Sequence, residues 1–179
     1  KLFCENENIS NSISGLESFV KVSSVESFKT ALTKLNGSVL VDETTVPFAA
    51  VKILQSNDCK LIMGEDPITL PKACKNHVEL KHARICHKRD AVYMCEFLSW
   101  VDRQSENKFD EIDAVIELEN IRRKDENLKE ISFDTIAASG PNAALPHYRV
   151  NYSSNRTIKK GDVLLIDSGG QYLDGTTDI

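Results

Sequence analysis

A chain of 179 residues, 41% hydrophobic and with a formal net charge of −5, can bury one or two cores and has the make-up of a globular protein. The acidic balance leaves no basic footprint, so nucleic acid is not an expected partner, and no apolar run reaches the roughly eighteen residues that span a bilayer. Five scattered cysteines (Cys4, Cys59, Cys74, Cys86 and Cys95) form no CxxC pair, which argues against a zinc knuckle or a disulfide framework and for a reducing, cytoplasmic setting.

Residues 1 to 22 are polar, rich in Asn and Ser, and predict little. Ser24 is read as the N-cap of a helix over 25–36, with Phe28, Leu32 and Leu35 on one face and Asn36-Gly37 as its C-cap. A strand follows over Ser38 to Val41, ended by Asp42, which is read as a turn residue. Pro47 opens a short helix with Ala50, Val51 and Leu54 on its apolar side, and Cys59 to Met63 reads as the next strand. This alternation predicts an α/β layer with a parallel or mixed sheet. Pro67 and Pro71 bias the segment from Gly64 to Pro71 toward extended structure. It is read as a linker, with a domain boundary at about residue 70.

A long helix is predicted from Glu79 to about Arg103, with Ala91, Met94, Cys95, Leu98 and Val101 as its apolar stripe. Cys86 and Cys95 read as buried small side chains on it, and Trp100 as a core or interface residue. His77, His82 and His87 are spaced by five, share no helix face, and are assigned to surface or packing. Asp110 is expected to cap a second helix from Glu111 to about Lys124, with Ile112, Val115, Ile116 and Leu118 as its stripe. The mixed-sign run from Arg122 to Glu126 reads as a solvated helix end. Ile131 to Ala137 is strand-like and Ser139 to Asn142 is a turn. Ala143, Ala144 and Leu145 then lead to Pro146-His147-Tyr148. With no bulk nearby to bury it, His147 is expected to face a cavity.

The closing stretch, DVLLIDSGGQYLDGTTDI, starts with an apolar strand from Val163 to Ile166 that ends on Asp167. Ser168-Gly169-Gly170 is predicted to turn the chain, Gln171 to Leu173 to start a second strand, and Asp174-Gly175 to form a kink or bulge before Thr176 to Ile179. Asp167 and Asp178 therefore sit eleven residues apart at the ends of apolar segments, where adjacent antiparallel strands bring them side by side. Solvated turn chemistry is one reading of such acids. The other starts from burial: a carboxylate closing an apolar strand is half-buried and needs a cation or donors. Two such carboxylates repel unless a metal lies between them. Oxygen-only ligands suit a hard or borderline divalent ion such as Mn²⁺.

These residues carry a resemblance. IDSGGQYLDGTTDI resembles the first metal-binding segment of the Xaa-Pro aminopeptidases (aminopeptidase P) of the pita-bread metallopeptidase family. SFDTIAASGPNAALPHY, Ser132 to Tyr148, is similar to that family's substrate-histidine region, and Leu70 to Val101 to its entry into the catalytic domain. The resemblance implies a creatinase-like α/β module over residues 1–69, followed by the first half of a pita-bread α+β domain over 70–179. It implies a metal-dependent hydrolase that cleaves between an N-terminal residue and a following proline, using two divalent metal ions, manganese in our reading. Asp167 would chelate one ion and Asp178 would bridge both. His147 would bind substrate and assist catalysis. Peptides with proline second are the implied partners, in a cytoplasmic homodimer.

The family completes its site with one histidine and two glutamates further toward the C-terminus, which this chain lacks. The chain starts on Lys and stops inside a strand-like pattern, so it is read as part of a longer protein and expected to be inactive alone. Two alternatives stand beside this reading. One is a non-catalytic pita-bread binding module, which retention of both aspartates disfavours. The other is a relative with different specificity: an Xaa-Pro dipeptidase, a methionine aminopeptidase or a creatinase-type hydrolase. The module before residue 70 disfavours the methionine enzyme, and KACKN and SFDTI favour aminopeptidase P over the rest.

Overall fold

The structure is a computed structural model describing residues 1–5, 20–104 and 108–179; most of the polar opening, 6–19, lies outside it. The chain divides into two compact units, Lys1–Cys74 and Lys75–Ile179.

In the first unit β1 (Leu2–Phe3) pairs in parallel with β2 (Val22–Ser23). Helix α1 is short, Ser27–Leu32, with Glu26 at its N-cap and no side-chain cap bond. Ser24 contributes only its carbonyl, which accepts from the Ser27 N–H and hydroxyl. The helix stops well before Asn36 because Thr33, at the C-cap, turns its hydroxyl back onto the Thr30 carbonyl at 2.9 Å, a local bond that competes with helix continuation. Gly37, at φ +75°, instead turns the chain into β3 (Ser38–Val41). Helix α2 (Phe48–Ser56) follows Pro47 and crosses over to β4 (Lys60–Met63), which pairs with β3 in parallel, as that connection requires. Val41, Leu54 and Cys59 form the core between them. Asp42 is a turn residue: its carboxylate accepts from the Thr44 N–H and hydroxyl and from the Asp66 N–H. The predicted extended linker is partly helical, α3 (Thr69–Ala73). Pro71 is tolerated there because it falls in the first turn, where an N–H has no intrahelical acceptor.

The second unit begins with α4 (His77–Arg103). It starts two residues before the predicted Glu79 because Asn76 accepts from the Val78 and Glu79 N–H groups, while the Glu79 carboxylate returns to the Asn76 N–H at 2.8 Å. The buried face of α4 runs through Cys86, Asp90 and Phe97, with Tyr93, Met94, Trp100 and Val101 packed beside it. Ala91, Cys95 and Leu98, predicted to be core, are exposed. The error has a cause: the true stripe contains a charged residue, Asp90, and counting only apolar positions rotates the stripe around the helix. Helix α5 (Glu111–Arg122) follows β5 (Phe109–Asp110) and is capped by Asp110, which accepts from the Asp113 N–H at 2.9 Å. Its inward side carries Ala114, Leu118 and Ile121, whereas Ile116 faces solvent. Arg122 and Asp125 also correct the solvated-end reading, since Arg122 is fully buried and Asp125 nearly so. Arg122 can be buried because it meets Asp90 of α4 in an ion pair.

Helices α4 and α5 pack against two antiparallel ladders. Strand β6 (Leu128–Ile131) pairs with β10 (Gly170–Tyr172), and β7 (Ile136–Ser139) pairs with β9 (Leu164–Asp167). Between these ladders four residues, 132–135, stand opposite two, 168 and 169. The partner side is therefore bulged, which is why the predicted strand over Ile131 to Ala137 is broken in two. A 3-10 turn over Gly140–Ala144 and the short β8 (Thr157–Ile158), paired with β5, lead into β9.

Candidate metal centre

Ser168-Gly169-Gly170 does not turn the chain. The strand runs through it, and the turn comes at Leu173-Asp174, between the paired residues Tyr172 and Gly175. Strand β11 (Gly175–Thr176) returns alongside β10. The same register continues past it: the Thr177 N–H reaches the Gly170 carbonyl, and Ser168 and Ile179 exchange both backbone bonds at 2.9 Å. Asp178 thus stands opposite Gly169, and Asp167 two residues along on the same strand. By the two-residue period of strands, both aspartates are on one face as diagonal neighbours. Ser168, Tyr172 and Thr177, on the other face, are buried.

The carboxylate face opens into a depression of about 340 Å³ lined by Phe133, Asp134, Ile136, His147, Arg149, Asp167 and Asp178. The bulge supplies Phe133 and Asp134, and Asp134 forms an ion pair with Arg149. Neither the Asp167 nor the Asp178 carboxylate takes a hydrogen bond or ion pair from a described residue, although Asp167 is partly buried. Two unpartnered carboxylates converging on one cavity are the oxygen donors that a divalent cation takes. Among the described residues no group of three or more His, Cys, Asp or Glu side chains is arranged to hold a metal ion. The described residues therefore bring two such donors and not a full set.

His147 reaches the cavity from a backbone at φ +55°, which is uncommon for a residue with a Cβ and is kept only where the surroundings impose it. The next residue shows what imposes it. Tyr148 is buried, and its hydroxyl donates to the Glu111 carboxylate at 2.9 Å. That fully buried carboxylate also accepts from the N–H and hydroxyl of Ser139, the Asn142 amide and the Arg156 N–H. It pins both ends of the loop that carries His147. Burial, together with the Glu111 carboxylate, holds the Tyr148 hydroxyl above the ordinary tyrosine range. Sequence reasoning missed Glu111 because it counted the residue only as the first of a helix.

Gly169 is required by close approach. A Cβ there would lie 2.0 Å from the Thr177 carbonyl oxygen and 2.3 Å from the Ser132 hydroxyl, which donates to that same carbonyl. Gly169→Ala is expected to push the Thr177–Asp178 arm off its partner and cost about 2–3 kcal/mol or more, an overpacking penalty against backbone. Thermal unfolding checks the stability loss, and an unchanged Tm would show that the arm yields freely.

The comparisons with known proteins identify the family and the fold. Residues 81–179 match the model of metallopeptidase family M24, and residues 1–79 match a creatinase/prolidase N-terminal domain. The chain belongs to metallopeptidase family M24. Among similar M24 relatives, a probable Xaa-Pro aminopeptidase P of Talaromyces marneffei is 42% identical over 132 residues, covering 72% of this chain and 20% of that protein. A counterpart of the same name in Aspergillus niger is 45% identical over 146 residues, covering 73% and 24%. The chain thus spans about a fifth to a quarter of the length of these relatives. The crystal structure of an X-prolyl aminopeptidase from Caenorhabditis elegans, described as a cytosolic enzyme with a di-nuclear active site, superposes with a TM-score of 0.78 at 29% identity, over 90% of this chain and 28% of that one. A prolidase from Pyrococcus furiosus shares the fold, with a TM-score of 0.68 at 18% identity over 90% of this chain and 49% of that one. The fold class read from the sequence, a creatinase-type α/β module followed by part of a pita-bread domain, is the one these structures share.

Proposed function

We propose that this chain is part of a metal-dependent aminopeptidase that hydrolyses the bond between an N-terminal residue and a following proline. The observation that carries the reading is the cavity shared by Asp167, Asp178 and His147, with both carboxylates unpartnered on one face of the hairpin. The similarity to Xaa-Pro aminopeptidases supports it. The domain division at about residue 70 is part of the same reading.

Asp167 and Asp178 would hold two divalent ions, for which we favour manganese, with the remaining ligands, one histidine and two glutamates, supplied from outside this chain. Bound there, the ions supply Lewis acidity and acidify the attacking water. Asp178, opposite Gly169 and with no partner among the described residues, would serve as a ligand to both ions. Asp167, the more buried of the two, would hold one. His147 donates a hydrogen bond to the oxygen of the scissile carbonyl as negative charge develops on it, worth about 2–4 kcal/mol by comparison with other oxyanion donors. A prolyl nitrogen carries no N–H, so this side of the cavity has to accommodate a ring and offer no acceptor to it. Among the described residues no helix is long and apolar enough to cross a membrane. We place the protein in the cytoplasm, as a homodimer.

The test is release of the first residue from tripeptides by the full-length protein with Mn²⁺. A substrate with proline second is expected to be cleaved with kcat/KM more than about tenfold above that of its alanine counterpart. Equal cleavage of both would replace the Xaa-Pro reading with a general aminopeptidase, and cleavage only of the Xaa-Pro dipeptide would replace it with a dipeptidase. The 179-residue chain alone is expected to be inactive.

A further inference from the structure

The buried face of the hairpin carries a network that the proposed chemistry does not use. Asp90 and Arg122 are both fully buried and form a two-pronged pair, Nε to Oδ1 at 2.9 Å and Nη2 to Oδ2 at 3.1 Å. The Asp90 carboxylate also accepts from two residues of the hairpin, the Tyr172 hydroxyl at 2.6 Å and the Thr177 hydroxyl at 2.9 Å. Thr177 is itself fully buried, and its hydroxyl oxygen accepts the Gly170 N–H at 2.9 Å from across the hairpin. One hydroxyl thus ties the two arms together and ties both to helix α4. One residue further along α4's N-terminal side, Arg89 grips the turn through both oxygens of Asp174, at 2.6 and 3.0 Å.

A pair that served stability alone would be replaceable by apolar side chains, because desolvating two charges offsets much of their attraction. What a buried carboxylate adds here is direction. It fixes the rotation of Thr177 about the strand axis, and because successive side chains alternate, it fixes where Asp178 points on the opposite face. Strand β10 is held on its other side by β6, so the Asp167 arm has ladder bonds on both sides. The Asp178 arm, past β11, has among the described residues only its bonds to the facing strand and those to Thr177.

We propose that Asp90 and Thr177 are positioning residues for the metal centre, setting the separation of Asp178 from Asp167 through the hairpin from the face opposite the cavity. The inference rests on the reading of Asp167 and Asp178 as metal ligands and deepens it. Neither Asp90 nor Thr177 touches metal or substrate. Their effect would be to keep Asp178 where it can serve with Asp167 as a ligand, so loss of the Thr177 hydroxyl weakens metal binding more than it weakens the fold, whereas loss of Asp90 also strands the buried Arg122.

The experiment is calorimetric titration of the metal-free full-length protein with Mn²⁺, alongside its thermal unfolding without metal. Thr177→Val, which keeps the shape and removes the hydroxyl, is expected to weaken Mn²⁺ binding about 10- to 100-fold, the range for losing a group that orients a ligand. Thr177→Ser, which restores the hydroxyl, is expected to return within about twofold of wild type. Leu118→Ala, a core change on α5 that removes none of the network's hydrogen bonds, serves as the stability control: it lowers Tm and leaves Mn²⁺ affinity in place. If Thr177→Val does not fold, Thr177→Ala is measured in its stead with the same expectation. Mn²⁺ affinity that falls only in step with Tm, with Leu118→Ala and Thr177→Val on one line, would overturn the positioning role, as would unchanged affinity in a folded Thr177→Val. A wild-type protein that binds no Mn²⁺, or binds it undiminished in Asp178→Ala, would instead overturn the metal centre itself.

Discussion

Replacing Asp178 with alanine in the full-length protein is expected to lower kcat/KM for an Xaa-Pro tripeptide by more than about 10²-fold, beyond the 10- to 100-fold typical of losing a group that only orients a ligand. The reason is its place in the site. Asp178 is exposed, faces the cavity and is bonded to no described residue, and the other carboxylates of the cavity are Asp167, a proposed ligand itself, and Asp134, which is held by Arg149. The same facts predict almost no effect on the metal-free fold, within about 0.5 kcal/mol, as for a surface substitution that breaks no bond. The pair of measurements is therefore more telling than either alone. An Asp178→Ala protein with metal-free Tm unchanged and activity lost places the residue in the chemistry. Retained activity would move the centre elsewhere.

Arg122→Leu is expected to have the opposite profile. It leaves the Asp90 carboxylate buried without its cation, and breaking a buried pair by removing one partner costs about 3–5 kcal/mol. For a unit of this size that is a Tm loss of more than about 10 °C. Tyr172 and Thr177 still donate to Asp90, which places the expected cost nearer the lower figure. The pH dependence comes from Asp90. Burial raises its carboxyl, but the hydrogen bonds from Arg122 and Tyr172, the Arg122 charge and the Thr177 bond more than reverse this and hold it below the ordinary 3.8. A group held below its unfolded value favours folding when charged. The stabilisation is complete above that ordinary value and is lost as pH falls below it through the folded value. Acid unfolding monitored by circular dichroism should show this as a steep limb below about pH 4 in wild type. In Asp90→Asn the limb should be shallower. An equally steep limb would assign acid sensitivity to other carboxylates.

Elements governed by local rules are legible in the sequence. Strands β3 and β4 and the Asp110 cap can be read because their signals, an apolar run or an acid before a periodic segment, are contained within a few residues. That Asp167, Asp178 and His147 share one cavity is also legible, through the chemistry of acids at strand ends and through a family resemblance. Apart from α1, whose early end is set by the local Thr33–Thr30 bond, the elements that sequence reasoning misplaces depend on partners distant in the chain. Asp90 looks like a solvent-facing helix residue until Arg122 comes to meet it from the next helix, and Arg122 looks like part of a solvated end for the same reason. The glycines at 169 and 170 suggest a turn. At 169 the glycine is needed because the Thr177 carbonyl crowds it, a fact about the returning arm that no reading of the segment itself contains. Asn76 is different: Asn-His-Val-Glu is a capping box open to inspection, and counting the periodicity from Glu79 passes over it.

The two-residue bulge opposite Ser168 and Gly169 divides the cavity between two kinds of scaffold. Its floor, Asp167 and Asp178, hangs from the unbroken strand and its returning arm, where a one-residue insertion would flip every side chain to the wrong face. Its lip, Phe133, Asp134 and Arg149, hangs from the bulge and from a loop, where added or exchanged residues disturb no ladder. On the proposed function, a lineage carrying this fold would trade residues at the lip and change which peptides enter while the floor keeps its geometry. New specificities would then arise by drift at the rim without each one having to rebuild the two aspartates beneath.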